Sequence, residues 1–429
     1  MAIRVLDKRI VPGDHSGFAA SVEANLDGLK AIAEIGFAQV GIPQGYTYLG
    51  QFLAHELAPR QDVNTRTRKL DLDSLYPDFG DTEKIDSEGK FLTQAATADK
   101  LEDLIRGSDN KALIPDFRND DQLIIAQLHL LWQRFHNHLI DLLPHHCTPI
   151  PDSPEARFHA AREFTVACFQ RIIVEDYMIR LADPTIRSVL WDDQVSILEI
   201  PATEPDLPLE ITHAAGRFGH SQVRSSYQLN LDGGSSLVSL IDLFNFTGEH
   251  GGAAYDRVPV EHRFQWSLFF PQPGDAREEG NKISSFIAAP LRPFVLEHNL
   301  LAGINAVLPS GQVLAQTIIE EFENQGIHGH GLQAAIVAND DNQEAREALE
   351  AMGLLEDTPI WLFILMEADA SASRGDRLGP LGSTLLIETI KSALQDTGFE
   401  DYATVQARFE DCGFPSIRKM ADIALSLEA

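Results

Sequence analysis

Fifteen histidines stand in this chain of 429 residues, and their local contexts separate candidates for chemistry from ordinary ones. His55 closes the apolar run Gly50-Gln-Phe-Leu-Ala-His55, so its imidazole belongs in a desolvated setting. Two readings stand there: a core histidine bonded to a backbone carbonyl, or an acid/base group facing a cavity, since imidazole exchanges protons near neutrality. His220 lies in Gly216-Arg-Phe-Gly-His220-Ser. Arg217 precedes it by three positions and shares a helical face with it, while Gly219 lets a bulky group approach the backbone. A flat cofactor meets that description, and so does a tight helix–helix contact. His129 and His136 line one stripe two helical turns apart. Metal ligands on one helix sit three or four apart, so zinc is not expected there. His145-His146 and His328-Gly-His330 lie among Gly and Pro and read as surface loops. Alone, these contexts suggest haem or another histidine-ligated centre.

The elements that must hold these side chains are read from hydrophobic spacing. Residues 16–40 mix apolar positions at helical intervals, and the short segment 46–57 that carries His55 stops at Pro59. Residues 60–115 are polar and read as an extended connection. Two strong helices follow, over 119–143 and 155–182, with Leu123, Ile124, Leu128, Leu131, Phe135 and Leu139 on one broad face of the first. Residues 184–209 and 247–280 read as loops. Helices are expected over 210–227 and 236–246, then over 283–303, 311–324, 342–352, 358–369, 381–396, 402–411 and 416–428. Gly and Pro punctuate them. No repeat or linker divides the chain, so the expectation is a mainly α protein with few or no strands, one large domain over 1–429: an N-terminal extension over 1–45, a core over 46–396 and C-terminal helices over 397–429.

The charge excludes some partners. Against 64 Asp+Glu stand 34 Lys+Arg, a formal net charge of −30. Such a surface repels phosphate backbones and anionic membranes, so no nucleic acid is expected as a partner. Three cysteines, Cys147, Cys168 and Cys412, make no disulfide framework and no metal-ligand pair. The chain begins without the apolar core of a secretory signal and holds no run of about 18 uncharged apolar residues. A soluble protein of a reducing cytoplasm is expected.

Four motifs, in order, resemble the peroxidase–cyclooxygenase superfamily, the animal-type haem peroxidases, and its short bacterial members in particular. Gly50-Gln-Phe-Leu-Ala-His55-Glu is similar to the family's distal element. Arg118-Asn-Asp-Asp121, with His129 and then Arg134-Phe-His136-Asn137, repeats the spacing of its next element. Arg217-Phe-Gly-His220 matches the proximal one, and Asn299 with Leu308-Pro309 matches the proximal-side asparagine and its Leu-Pro. The segments Leu308-Pro-Ser-Gly-Gln312, Thr358-Pro-Ile-Trp361 and Arg377-Leu-Gly-Pro-Leu-Gly382 also resemble the bacterial branch.

The resemblance implies a fold built around a buried haem b, with His220 on the iron and Asn299 accepting the other imidazole N–H, which fixes the ring and increases its donation to the metal. It implies that Arg217 pairs with a haem propionate. It casts His55 as the group that takes a proton from hydrogen peroxide and returns it to the leaving oxygen, Arg118 as stabiliser of the charge that develops as the O–O bond breaks, and Gln51 as a hydrogen-bond partner of peroxide. The helix of His129, Arg134, His136 and Asn137 is implied to be scaffold. Read without the family, Arg118 and Asn299 are equally ordinary helix-end residues.

Departures from the family pattern sharpen these expectations. Ala54 stands where many relatives have an aspartate esterified to the haem, and Asp121 stands where they have a glutamate, so a non-covalent haem is expected. The family's calcium ligands correspond to Glu56, Thr67, the Lys69 carbonyl, Asp71 and Asp73, hard oxygen donors at alternate spacing that equally describe an acidic turn. Dioxygenases of the superfamily place a radical-forming tyrosine where Arg217 stands here, and Tyr227 and Tyr255 lack the spacing. A peroxidase acting on hydrogen peroxide and a small donor is therefore favoured over a fatty-acid dioxygenase or a non-catalytic haem-binding protein. The negative charge favours neutral or cationic aromatic donors over halides.

Overall fold

The computed structural model describes residues 2–5, 7–36, 38–58, 67–146, 153–201, 207–232, 237–248 and 257–428. Cys147 and Tyr255 lie outside them, as do residues 60–66 of the polar connection. The protein is mainly α, as expected, and its strands run only two to four residues. Among the described residues no helix is long and apolar enough to cross a membrane. Contacts group the chain into two compact units, one of Met1–Thr47, Met178–Ser225 and Glu279–Gln395, the other of Tyr48–Tyr177, Ser226–Glu278 and Asp396–Ala429.

The first unit is organised on the helix Ile360–Ala370, whose run Ile-Trp-Leu-Phe-Ile-Leu-Met is buried throughout. A helix apolar on every side has no solvent face, and this one packs against the helices Gly311–Asn324 and Pro380–Ala393 and the 3-10 segment Ala215–Gln222. Gly311 is required there, because a Cβ would lie 2.3 Å from the Phe363 ring. The Gln312 amide closes the same joint, its oxygen accepting from the Thr358 N–H at 2.8 Å and its nitrogen donating to the Leu355 carbonyl at 2.7 Å. These bonds explain the Leu308–Gln312 and Thr358–Trp361 segments as two halves of one clamp. A helix expected from 283 begins only at Arg292. Pro290 lacks the N–H a continuing helix needs, and Pro293 fits the first turn, where that donor is not required.

The second unit is organised on the long helices Leu123–His146 and Pro154–Ile172, which pack together. Ser153 caps the latter, its Oγ accepting the Ala156 N–H, a bond worth about 1 kcal/mol. The helix Tyr402–Asp411 lies on Pro154–Ile172 and stacks Phe409 on Phe164 at 4.2 Å between ring centres. Burying such a ring stabilises by about 1.5–3 kcal/mol. The helix expected over 155–182 passes into a wider π turn at Ile173–Met178 before ending at Leu181.

Candidate functional site

The helix Gly45–Leu57 places Gln51 and His55 four residues apart, on one face. Gly50 has no room for a side chain, since a Cβ would lie 2.5 Å from the Tyr177 hydroxyl. His55 is half-buried and donates from Nδ1 to Asn119 Oδ1 at 2.8 Å. The amide is oriented with Asn119 Nδ2 toward Ser74 Oγ at 3.3 Å and His129 Nδ1 at 3.1 Å. With its proton on Nδ1, His55 presents Nε2 as a lone pair, and no described residue bonds to it. Burial and then the Arg118 charge lower its pKa from 6.5 to about 4, against the opposing pull of Asp116, Asn119 and Asp121. The imidazole is thus neutral at pH 7 and ready to accept a proton.

Arg118 sits in the 3-10 turn Phe117–Asp120, beneath the end of the His55 helix. All three guanidinium nitrogens donate: Nη1 to the Ala58 carbonyl at 2.8 Å, Nη2 to the His55 carbonyl at 2.8 Å and to Asp116 at 2.6 Å, and Nε to Asp116 at 3.0 Å. It therefore caps helix carbonyls and holds a positive charge beside the His55 ring. Asp116 is fully buried and also caps the turn. Arg106 anchors the turn from below with Asp120 at 2.6 Å and Asp103 at 2.8 Å. Gln51 accepts from Gln122 at 3.4 Å, and Asp121 closes the turn with its N–H on the Arg118 carbonyl.

Glu56, next after His55, is buried and accepts the Ser74 N–H at 3.0 Å. One carboxylate oxygen from each of Glu56, Asp71 and Asp73 lies within 4.8 Å of the other two. Thr67 joins them, its hydroxyl 2.9 Å from Asp71 and its N–H 2.7 Å from Asp73. The loop is folded tightly enough to converge these groups because Arg68 and Leu72 adopt positive φ, +59° and +57°. Burial and then the charge of Asp73 raise Asp71 to about 6. Crowded hard oxygens fit a divalent cation such as Ca²⁺. Lys69 contributes its backbone to the loop while its ammonium reaches the Asp396 carbonyl.

In the first unit, the 3-10 segment Ala215–Gln222 carries Arg217 and His220. His220 Nδ1 lies 2.9 Å from Asn299 Nδ2, and Asn299 Oδ1 accepts from Arg217 Nη1 at 3.2 Å. Arg217 Nε donates to the Thr212 carbonyl, and its own carbonyl accepts from the Trp361 indole at 3.3 Å. Burial and then the Arg217 charge lower His220 to about 4. With the amide oxygen on Arg217, Nδ1 of His220 is an acceptor and the ring proton sits on Nε2. Turning the Asn299 amide end for end gives the other tautomer, with Nε2 as a lone pair. No described residue bonds Nε2, and the space where a Gly219 side chain would stand is open. These residues fit a haem ligated at Nε2, provided the amide turns.

The structure thus brings His55, Gln51, Arg118 and Asp121 together in one unit and His220, Asn299 and Arg217 in the other. Sequence reasoning missed Asn119 and Asp116. Both flank Arg118, and a search for hydrogen-bonding side chains beside that arginine would have found them.

Residues 51–247 match the family described as animal haem peroxidase. A peroxidase-like protein of Margaritifera margaritifera is 28% identical over 129 residues, 29% of this chain, and the match spans only 16% of that relative's length. Peroxidase A of Dictyostelium discoideum superposes with a TM-score of 0.63 at 13% identity, covering 97% of this chain and 89% of that one. Fatty acid alpha-dioxygenase of Oryza sativa gives 0.59 at 12% identity, with 94% and 78% covered. That of Arabidopsis thaliana gives 0.60 at 13% identity, with 96% and 75% covered. Residues 51–247 are thus similar to an animal haem peroxidase domain, and the chain has the fold of the peroxidase and fatty acid alpha-dioxygenases on which it superposes.

Proposed function

We propose that this chain is an animal-type haem peroxidase, an enzyme that uses hydrogen peroxide to oxidise small, neutral or cationic aromatic donors. The observation that carries this reading is the 2.8 Å hydrogen bond between His55 Nδ1 and Asn119: with Oδ1 toward the ring it holds the proton on Nδ1 and leaves Nε2 as a base. When bound, haem supplies the redox-active iron at which the O–O bond of peroxide is broken. His55 Nε2 takes the proton from peroxide and returns it to the departing oxygen. Arg118, held beside His55 by Asp116 and two carbonyls, favours negative charge developing there. Gln51 donates a hydrogen bond to the bound peroxide. His220 would hold the iron through Nε2, with Asn299 setting the ring and Arg217 pairing with a propionate. Ala54 and the short Asp121 support a non-covalent haem. A divalent cation held by Glu56, Thr67, Asp71, Asp73 and the Lys69 carbonyl ties the His55 helix to its neighbouring loop.

The test is steady-state oxidation of phenols, iodide and bromide by peroxide on haem-loaded protein. Peroxide-dependent turnover with phenols leading is expected. A missing Soret band after haem reconstitution overturns the haem reading. Oxygen uptake with an unsaturated fatty acid and no added peroxide instead supports the dioxygenase reading, which the likeness to fatty acid alpha-dioxygenases favours and Arg217 at the radical-tyrosine position opposes.

A further inference from the structure

The second unit holds a buried tyrosine–histidine pair that the peroxide chemistry above does not use. Tyr76 is 6% exposed and His136 fully buried. Tyr76 Oη and His136 Nδ1 lie 3.0 Å apart, and His136 Nε2 lies 3.0 Å from the Gly89 carbonyl oxygen. A carbonyl only accepts, so the imidazole proton is on Nε2 and Nδ1 accepts the phenolic O–H. A phenol whose proton has a neutral base at hydrogen-bond distance can lose an electron and that proton together, without leaving charge on the ring.

The surroundings reinforce this. The Arg162 guanidinium stands 5.0 Å from the Tyr76 ring centre, and a fixed cation there disfavours a protonated, positively charged tyrosyl radical. Proton loss is therefore coupled to electron loss. Phe91 and Phe158 enclose the pair, at 5.4 and 5.8 Å from the Tyr76 ring and 5.0 and 5.2 Å from the imidazole, and shield a radical from solvent. Trp132 lies one helical turn before His136, on the same face. It touches Phe169 at 5.6 Å, and Phe169 touches Phe52 of the His55 helix at 5.9 Å. Trp132 is fully buried, and its indole N–H has no hydrogen-bond partner among the described residues. An oxidised Trp132 has nowhere to send its proton, whereas Tyr76 does, so an oxidising equivalent passing Trp132 settles on Tyr76.

We propose that Tyr76, with His136 as its proton acceptor, is a redox-active tyrosine that takes an oxidising equivalent from the haem when no donor is present. The inference rests on the peroxidase reading for its oxidant, a one-electron oxidant of the class a peroxide-treated haem provides. One electron leaves the phenol for that oxidant. The O–H bond breaks, its proton moves to His136 Nδ1, and a neutral phenoxyl radical faces an imidazolium whose Nε2–H stays on Gly89. An electron from a donor and the same proton restore the pair.

Two arms test it on the full chain. In the first, flash-generated tris(bipyridine)ruthenium(III) oxidises the protein without peroxide, and electron paramagnetic resonance reads the radical. A long-lived neutral tyrosyl signal is expected, with a nitrogen coupling that changes on ¹⁵N-histidine labelling and slower formation in D₂O. Tyr76→Phe should lose that signal, and His136→Gln should lose most of its yield. In the second arm, haem-loaded protein receives peroxide alone, where Tyr76→Phe should inactivate faster than the unaltered chain. An equal signal in Tyr76→Phe, or a wild-type signal without histidine nitrogen coupling, overturns the proposal. A tyrosyl signal in the flash arm together with no reaction in the peroxide arm sinks the peroxidase reading and the role as sink for the haem, while the pair itself stands. The nitrogen coupling is read on unaltered protein, so a variant that fails to fold does not remove the test.

Discussion

His55 and His220 each meet an asparagine at Nδ1, at 2.8 and 2.9 Å, and burial with a nearby arginine lowers both to about 4. The residue types match, and the hydrogen bonds run in opposite directions. At His55 the amide oxygen faces the ring, because Asn119 Nδ2 is claimed by Ser74 and His129. At His220 the amide nitrogen faces the ring, because Asn299 Oδ1 is claimed by Arg217. One imidazole is left as a base at Nε2 and the other as a donor there. The far end of the amide decides the tautomer, and the tautomer decides which chemistry a buried histidine can do.

The comparison breaks most decisively at the base. In haem-loaded protein, His55→Ala should slow the reaction with peroxide by about 10²–10⁴-fold, the range for losing a positioned proton-transfer group. Stopped-flow spectra of the haem band measure it, and an unchanged rate would show that His55 is not the base.

Acid should reveal the two sites together. Both folded imidazoles lie near 4, below an unfolded value of about 6.5. The unfolded chain then binds protons the folded chain refuses. The stability they contribute is complete above pH 6.5 and is lost as pH falls through 4, at most about 3 kcal/mol for each imidazole. His136 titrates in the same window. Haem bound on Nε2 of His220, as proposed, would bar its protonation further, so haem-loaded protein should lose more of its stability to acid than haem-free protein. Denaturant midpoints from pH 7 to pH 4 test this, and parallel curves for the two forms would remove His220 as the ligand.

Asn119→Ala attacks the comparison at its origin. It removes the group that fixes the His55 tautomer, so the peroxide rate should fall about 10–100-fold, the usual cost of losing an orienting partner. It also removes a buried partner of His129, at about 1–3 kcal/mol of stability. Asn119→Asp keeps an oxygen toward His55 and should recover much of the rate. If both variants react with peroxide like the unaltered chain, the tautomer argument fails.

How much of this was legible follows from what sets each feature. The setting of His55 follows from the apolar run that carries it, and that of Arg217 and His220 from spacing along one segment, whereas Gln51 was named only by the family resemblance. The all-apolar helix Ile360–Ala370 and the helix Tyr402–Asp411 were readable from spacing along single segments. Asn119 was not, because its meaning depends on Ser74 and His129, brought to it by a 3-10 turn that Arg106 anchors through Asp103 and Asp120. The engagement of Arg118 by Asp116 and the carbonyls of Ala58 and His55 is equally a product of tertiary placement. Nor could a linear reading see the two compact units, since each gathers three separate stretches of chain and no linker lies between them.

The finest test concerns Arg217, which sets His220 in the tautomer that cannot bind metal. In the haem-free chain, Arg217→Leu removes the donor on Asn299 Oδ1, so the amide is free to turn and accept from His220 Nδ1. The ¹⁵N shifts of His220 should then move from the Nε2–H pattern to the Nδ1–H pattern. One hydrogen bond of roughly 1 kcal/mol separates the two, about a fivefold change in their ratio. Haem affinity is a poorer readout, because the same substitution takes away the charge proposed to meet a propionate. Arg217→Lys discriminates further: a lysine that still reaches Oδ1 keeps the Nε2–H pattern, and one that does not behaves as leucine. If His220 already shows the Nδ1–H pattern in the unaltered, haem-free chain, Arg217 does not set it, and the contrast with His55 disappears.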